Sequence, residues 1–175
     1  MDLKKLIGKA LSDDEIKEAL DGKVNIVKYS ELKNMKDINE LLGAYGRAVI
    51  LFETQKNIGH WCSLIRNPKL NCIIFTDSYG IWPTNELDPK YVPRVFLKMS
   101  DQKREYLLRL LYDQPLEVRY SQYRLQKMKR GISTCGRYSI LRCALQDLDE
   151  NEFANLLRST KYTPDELITL ATENV

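Results

Sequence analysis

His60-Trp61-Cys62-Ser63-Leu64-Ile65-Arg66-Asn67-Pro68-Lys69-Leu70-Asn71-Cys72-Ile73-Ile74-Phe75-Thr76-Asp77 reads as two strands around a turn. The runs from His60 to Ile65 and from Cys72 to Asp77 have strand length. Asn67-Pro68-Lys69-Leu70-Asn71 between them is turn chemistry. Antiparallel pairing makes the start of the first strand and the end of the second neighbours. His60 and Asp77 can therefore touch despite their separation. A carboxylate in that place orients an imidazole and stabilises its charge, although an acidic residue after a strand is also an ordinary turn former. His60 is the chain's single histidine, so a group that needs an imidazole partner must use this one.

Upstream of the hairpin, Ala48-Val49-Ile50-Leu51-Phe52 is another apolar run of strand length, leading into the polar turn Thr54-Gln55-Lys56-Asn57. Ser12 with Glu15 forms a capping box for a helix that Asp21-Gly22 ends. A second helix is expected from Ser30 to Leu42, with Leu32, Met35, Ile38, Leu41 and Leu42 on one face. Downstream, Ser78-Tyr79-Gly80-Ile81-Trp82-Pro83 turns the chain away from the sheet. Ser100-Asp101 is expected to cap a helix running to about Tyr112. Glu117 to Ser121 reads as a strand, and Gln122 to Gly131 as a basic loop. Two helices follow near the end, one over Glu150–Arg158 and one capped by Thr163 with Pro164 and Glu166 in its first turn. The pattern gives one α+β domain over residues 1–175, a small central mixed or antiparallel sheet flanked by helices.

The remaining stretch is Ile132-Ser133-Thr134-Cys135-Gly136-Arg137-Tyr138-Ser139-Ile140-Leu141-Arg142-Cys143. Ser and Thr hydroxyls precede apolar residues recurring at three and four, which marks a helix N-terminus with Cys135 in its first turn. The free N–H groups and the helix dipole there favour thiolate over thiol. A free cysteine titrates near pH ~8.5, and a helix start with a histidine partner lowers that by several units. Gly136 removes a side chain where a substrate backbone would approach. A buried structural cysteine that opens a helix is the alternative for this segment taken alone.

His-Trp, an Asp one hairpin later, a Gln, then Cys-Gly opening a helix resembles the adenovirus-protease and SUMO-protease (Ulp-type) superfamily of cysteine proteases. Asp77-Ser78-Tyr79-Gly80 and Thr134-Cys135-Gly136-Arg137-Tyr138 further resemble the capsid maturation proteases of virophages, polinton-like elements and large DNA viruses. The resemblance spans roughly residues 45–145. It implies an adenain/Ulp-like fold with the nucleophile at the N-terminus of a core helix. It also implies a cysteine endopeptidase in which Cys135 attacks, His60 carries the proton and Asp77 orients it. A glutamine before the cysteine completes the oxyanion site, and Gln126 fits best with Gln122 in reserve. Trp61 is either a core aromatic or a wall narrowing the groove to glycine-like residues, or both. The expected substrates are capsid precursor proteins cut at glycine-containing sites. A ubiquitin-like-modifier deconjugating protease is the alternative within that chemistry, and a His-acid-Cys acyltransferase the alternative outside it.

Composition bounds the rest. The chain has 175 residues, 43% hydrophobic and 29% charged, with a net charge of +3 that does not argue for nucleic acid. Arg119, Arg124, Lys127, Lys129 and Arg130 form a basic run, which is either a solvated loop or, given the DNA cofactor of adenovirus-type proteases, a phosphate-binding stretch. An activating peptide is the other partner the resemblance raises. The N-terminus does not read as a signal peptide, and no apolar run approaches a membrane span. Cys62, Cys72, Cys135 and Cys143 show no C-x-x-C pair and are expected as thiols, with Cys62 and Cys72 as small apolar fillers that could face each other across neighbouring strands. No cofactor and no metal are expected, and the protein is expected as a monomer in the virion and the host-cell cytoplasm, not secreted.

Overall fold

The computed structural model describes residues 2–83, 87–90 and 92–175. Five strands, β1 (Asn25–Lys28), β2 (Arg47–Gln55), β3 (Ile58–Asn67), β4 (Cys72–Thr76) and β5 (Val118–Tyr120), lie side by side in that order. β2, β3 and β4 are antiparallel, whereas β1 joins β2 and β5 joins β4 in parallel. The sheet is therefore mixed. The hairpin forms as its sequence dictates: Asn67 Oδ1 accepts the N–H groups of Lys69 and Leu70 at 3.0 and 2.9 Å, and Asn71 takes φ +50°.

Side-chain alternation along β3 divides the interior. Cys62 and Leu64 enter one layer with Ile50, Phe52 and Phe75, covered by a 3-10 helix (Tyr29–Asn34), α3 (Ile38–Leu42) and α5 (Tyr106–Tyr112). Trp61 and Ile65 enter the opposite layer with Val49, Leu51, Ile74, Ile140 and Cys143, beneath α2 (Asp13–Ala19) and α6 (Cys135–Ala144). α6 packs along β3. Its outer face, with Tyr138, meets Phe153, Leu157 and Ile168 of α7 (Glu150–Arg158) and α8 (Pro164–Ala171). α6 is thus covered on both sides and buries Arg137 and Arg142 completely. Arg137 Nη1 donates to the Thr172 carbonyl and hydroxyl at 2.5 and 2.9 Å, and Arg142 Nη2 to the Leu145 and Leu148 carbonyls past the helix end.

Several expectations need correction. The helix expected from Ser30 to Leu42 is broken, because Met35 is extended and Asp37 caps α3 by accepting from the N–H groups of Asn39 and Glu40. A local cap outcompetes the apolar period there. Ser100 ends a helix, α4 (Arg94–Met99), rather than starting one, and Asp101 at φ +56° separates it from α5. α1 (Leu3–Ile7) and β1 were not anticipated. Cys62 and Cys72 lie in opposite layers and do not face each other; all four cysteines are free. No helix among the described residues is long and apolar enough to cross a membrane.

Candidate active site

β3 and β4 pair with Ser63 opposite Thr76, which carries Asp77 past the strand end towards His60. The two meet: His60 Nε2–H donates to Asp77 Oδ1 at 2.6 Å, with Asp77 fully buried and His60 nearly so. The same Oδ1 accepts the Tyr79 N–H at 2.8 Å, and the Tyr79 ring stacks on the imidazole, centroids 4.6 Å apart and planes 14° apart. Asp77 Oδ2 has no hydrogen-bond partner among the described residues. Gly80 lets the turn close. Its φ is +70°, and a Cβ there would stand 2.6 Å from the Gln122 carbonyl oxygen.

Cys135 opens α6, as its sequence indicates. The Cys135 thiol and the His60 imidazole, whose Nε2 is committed to Asp77, act on each other's protonation. Burial opposes ionisation of Cys135. The hydrogen bond and charge of His60, with the N–H groups of Trp61 and Gly136, outweigh it and hold the thiol below its ordinary value. Burial likewise disfavours the imidazolium, yet neighbouring negative groups hold His60 well above its ordinary value. Cys62 adjoins the ring but is itself pushed up to about 12 by burial, so it stays a neutral thiol. The Asp77 carboxylate is the charge that carries the effect. A lowered thiol beside a raised imidazole shifts the pair towards thiolate and imidazolium, the direction a cysteine nucleophile requires.

A cleft of about 370 Å³ opens over the pair, walled by Leu11, Trp61, Tyr79 and Gln126. Gln126 is anchored by the turn after Asp77: its N–H donates to the Ser78 carbonyl at 2.9 Å, and its Oε1 accepts the Ser78 hydroxyl at 2.6 Å. That bond commits the amide oxygen and leaves the –NH₂ as the free donor. Gln122 is exposed and lies outside the cleft wall. Trp61 is a core aromatic, 9% exposed, that also lines the cleft, and its indole N–H donates to the Leu11 carbonyl at 3.0 Å.

Gly136 does not meet the cleft. It is buried, and a Cβ there would stand 3.1 Å from Leu11 Cβ and 3.4 Å from Ile16 Cδ1 and Trp61 Cδ1. Its missing side chain makes room for the N-terminal segment, not for a substrate backbone. That segment is held across the start of α6 by the Ser133 N–H, which donates to the Ile7 carbonyl at 2.9 Å. Ala10, Leu11 and Tyr79 are cleft residues that sequence reasoning did not single out, although Tyr79 sits inside the Asp-Ser-Tyr-Gly run.

His60, Cys62 and Asp77 place one ligand-type atom each within 4.8 Å of one another and could between them hold a metal ion. The Cys62 thiol would first have to give up the proton that burial retains to about pH 12. A larger cavity, about 480 Å³, lies beside α4 with Tyr29, Arg94 and Lys103 in its wall and carries no cysteine or histidine.

This five-stranded mixed sheet flanked by helices matches the fold of the ASFV pS273R protease. That crystal structure superposes with a TM-score of 0.52 at 15% identity, over 94% of this chain and 67% of the protease. The Se-Met form of the same protease gives 0.53 at 16%, over 96% and 68%. No protein-family model matches the chain. Uncharacterized protein V9 of Sputnik virophage is 42% identical over 167 residues, covering 93% of this chain and 94% of V9. The chain belongs to the V9 family.

Proposed function

We propose that the protein is a cysteine endopeptidase of the adenovirus-protease and Ulp-type superfamily. The observation that carries this reading is the convergence, in one cleft, of the Cys135 thiol at a helix start, the His60–Asp77 pair at 2.6 Å and the Gln126 carboxamide. Cys135 attacks a peptide carbonyl as thiolate. His60, oriented by Asp77, holds the proton and returns it to the leaving amine. The Cys135 N–H and the Gln126 –NH₂ receive the oxyanion. The fold likeness to a viral protease and the virophage relative support a role in virion maturation, with capsid precursors as substrates and the virion and viral factory as the place of action.

The aromatic walls support glycine at the scissile bond. Trp61 and Tyr79 stand beside the pair, and a backbone without side chains reaches the near-attack distance of about 3–3.5 Å most readily. The exposed run Arg124, Lys127, Lys129 and Arg130 suits DNA or an acidic activating peptide. The test is incubation with candidate capsid precursors and mapping of new termini by mass spectrometry, with a peptide series carrying Gly, Ala or Val before the scissile bond. New termini after glycine, lost in Cys135→Ala, are expected. Comparable kcat/KM for Gly and Val overturns the glycine rule. An acetyl group on Cys135 after incubation with acetyl-CoA, without peptide cleavage, transfers the case to an acyltransferase.

A further inference from the structure

Asp165 is the second residue of α8, 3% exposed, and its carboxylate serves two distant segments. Oδ2 accepts the Lys127 N–H at 2.9 Å. Oδ1 accepts the Thr134 hydroxyl at 2.7 Å and the Tyr138 hydroxyl at 3.2 Å. Burial, with the charge of Asp165, pushes the Tyr138 hydroxyl up, so it stays a donor. Lys127 directly follows Gln126, Thr134 directly precedes Cys135, and Tyr138 lies one turn into α6. One buried carboxylate therefore ties together the segments that carry both oxyanion donors.

The conformation of Thr134 adds a second observation. It occupies the N-cap of α6, but with φ −92° and ψ −1° rather than the extended geometry of a capping residue, and its side chain caps nothing. A threonine hydroxyl in that place ordinarily accepts an N–H from the second or third helical residue, here Gly136 or Arg137. Asp165 draws the hydroxyl the other way, away from the N–H groups of α6.

We propose that Asp165 is a positioning residue for acyl transfer at Cys135, setting Gln126 and the start of α6 at one fixed separation and keeping Thr134 from capping the nucleophile's helix. This rests on the reading of Cys135 as the nucleophile. A misplacement of a donor by about 1 Å is enough to cost on the order of a hundredfold in rate.

The experiment follows acetylation of Cys135 by p-nitrophenyl acetate, which needs the nucleophile and the oxyanion donors but no peptide recognition. In that step the sulfur bonds to the acetyl carbon, nitrophenolate leaves and His60 retains the thiol proton. Asp165→Asn, Thr134→Val and their double variant are compared. Alkylation by iodoacetamide, which builds no oxyanion, serves as control, and kcat and KM are measured on a glycine peptide. Asp165→Asn is expected to slow acetylation and kcat by about 10–100-fold, with KM within about twofold and the alkylation profile unmoved in pH. Thr134→Val, which keeps the carboxylate, is expected to slow acetylation by about 3–10-fold and to add nothing in the double variant. If Asp165→Asn does not fold, Thr134→Val alone decides by the same split between acetylation and alkylation. The proposal is overturned if acetylation and alkylation fall together, if only the melting temperature moves, or if the two effects multiply. A wild-type protein acetylated at Cys135 but inert towards peptides removes the protease reading and leaves this one standing; one that takes no acetyl removes both.

Discussion

Replacing Asp77 by Asn keeps the shape of the side chain and removes its charge. Asp77 is fully buried and accepts from His60 Nε2 at 2.6 Å, so little water screens the pair. Two unit charges about 4 Å apart interact by about 4 kcal/mol at an effective dielectric constant of 20. At about 1.4 kcal/mol per tenfold, that is up to about a thousandfold in the proton affinity of the imidazole. The sign follows. His60 is held high by Asp77 and Cys135 is held low by His60, so both shifts favour the thiolate–imidazolium pair over the neutral one. With Asn the imidazole binds its proton more weakly, the cation that stabilises the thiolate is lost, and thiolate appears only at higher pH. Alkylation of Cys135 by iodoacetamide against pH, read by mass spectrometry, measures this directly. Cys62 and Cys143 do not compete, since burial pushes both up to about 12. The alkylation midpoint is expected to move up by one or more pH units, and peptide turnover to fall by about 10²–10⁴-fold. An unmoved midpoint, or faster alkylation near pH 6, refutes the account of the pair.

Cys135→Ala and His60→Ala should each abolish turnover while thermal unfolding stays cooperative, whereas Cys143→Ala should retain activity; the reverse pattern in a cleavage assay rejects the nucleophile. Gln126→Ala should lower kcat by about 10²–10³-fold, roughly 3–4 kcal/mol, with KM little changed. Ser78→Ala, which frees the amide that Ser78 holds at 2.6 Å, should show a weaker version of the same split. Gly136→Ala should cost about 1–3 kcal/mol in denaturant unfolding, because its Cβ meets Leu11 at 3.1 Å, without changing the preference among Gly, Ala and Val peptides. A change of preference there would restore Gly136 to the substrate path.

The hairpin and its two site residues were legible because their signals are local: apolar runs, a turn and antiparallel geometry bring His60 to Asp77 without knowledge of the rest. The helix on Cys135 was equally plain. What was hidden depends on partners distant in sequence. β1 is a four-residue strand, Asn25–Lys28, that exists only because β2 offers it a parallel edge. Asp165 carries no local signal of its role, since its partners Lys127 and Thr134 stand 38 and 31 residues away. Gly136 was assigned to the wrong neighbour because nothing in Cys-Gly tells which element passes over it. The break at Met35–Asp37 is the opposite case: the apolar period suggests one long helix, but the Asp37 cap, a local signal, wins and starts a new one.

Alternation along β3 has a consequence for how this chain can change length. His60 pairs with Phe52 and shares its layer, while Trp61 pairs with Leu51 and serves the layer of α6. Adjacent residues thus divide the work: one reaches the acid, the next braces the helix that Cys135 opens. Parity holds that division in place. A single residue inserted or deleted in the paired stretch between Trp61 and Asn67, unless a bulge absorbs it, puts His60 and Trp61 each on the other face of the sheet and parts the imidazole from Asp77, whereas a change of two preserves the arrangement. The β2–β3 ladder takes up its odd residue at the Glu53/Gln55 irregularity, at the end of β3 before the site residues, and from His60 to Ile65 the pairing with β2 runs unbroken, so the parity of that stretch is what holds acid, imidazole and indole in frame.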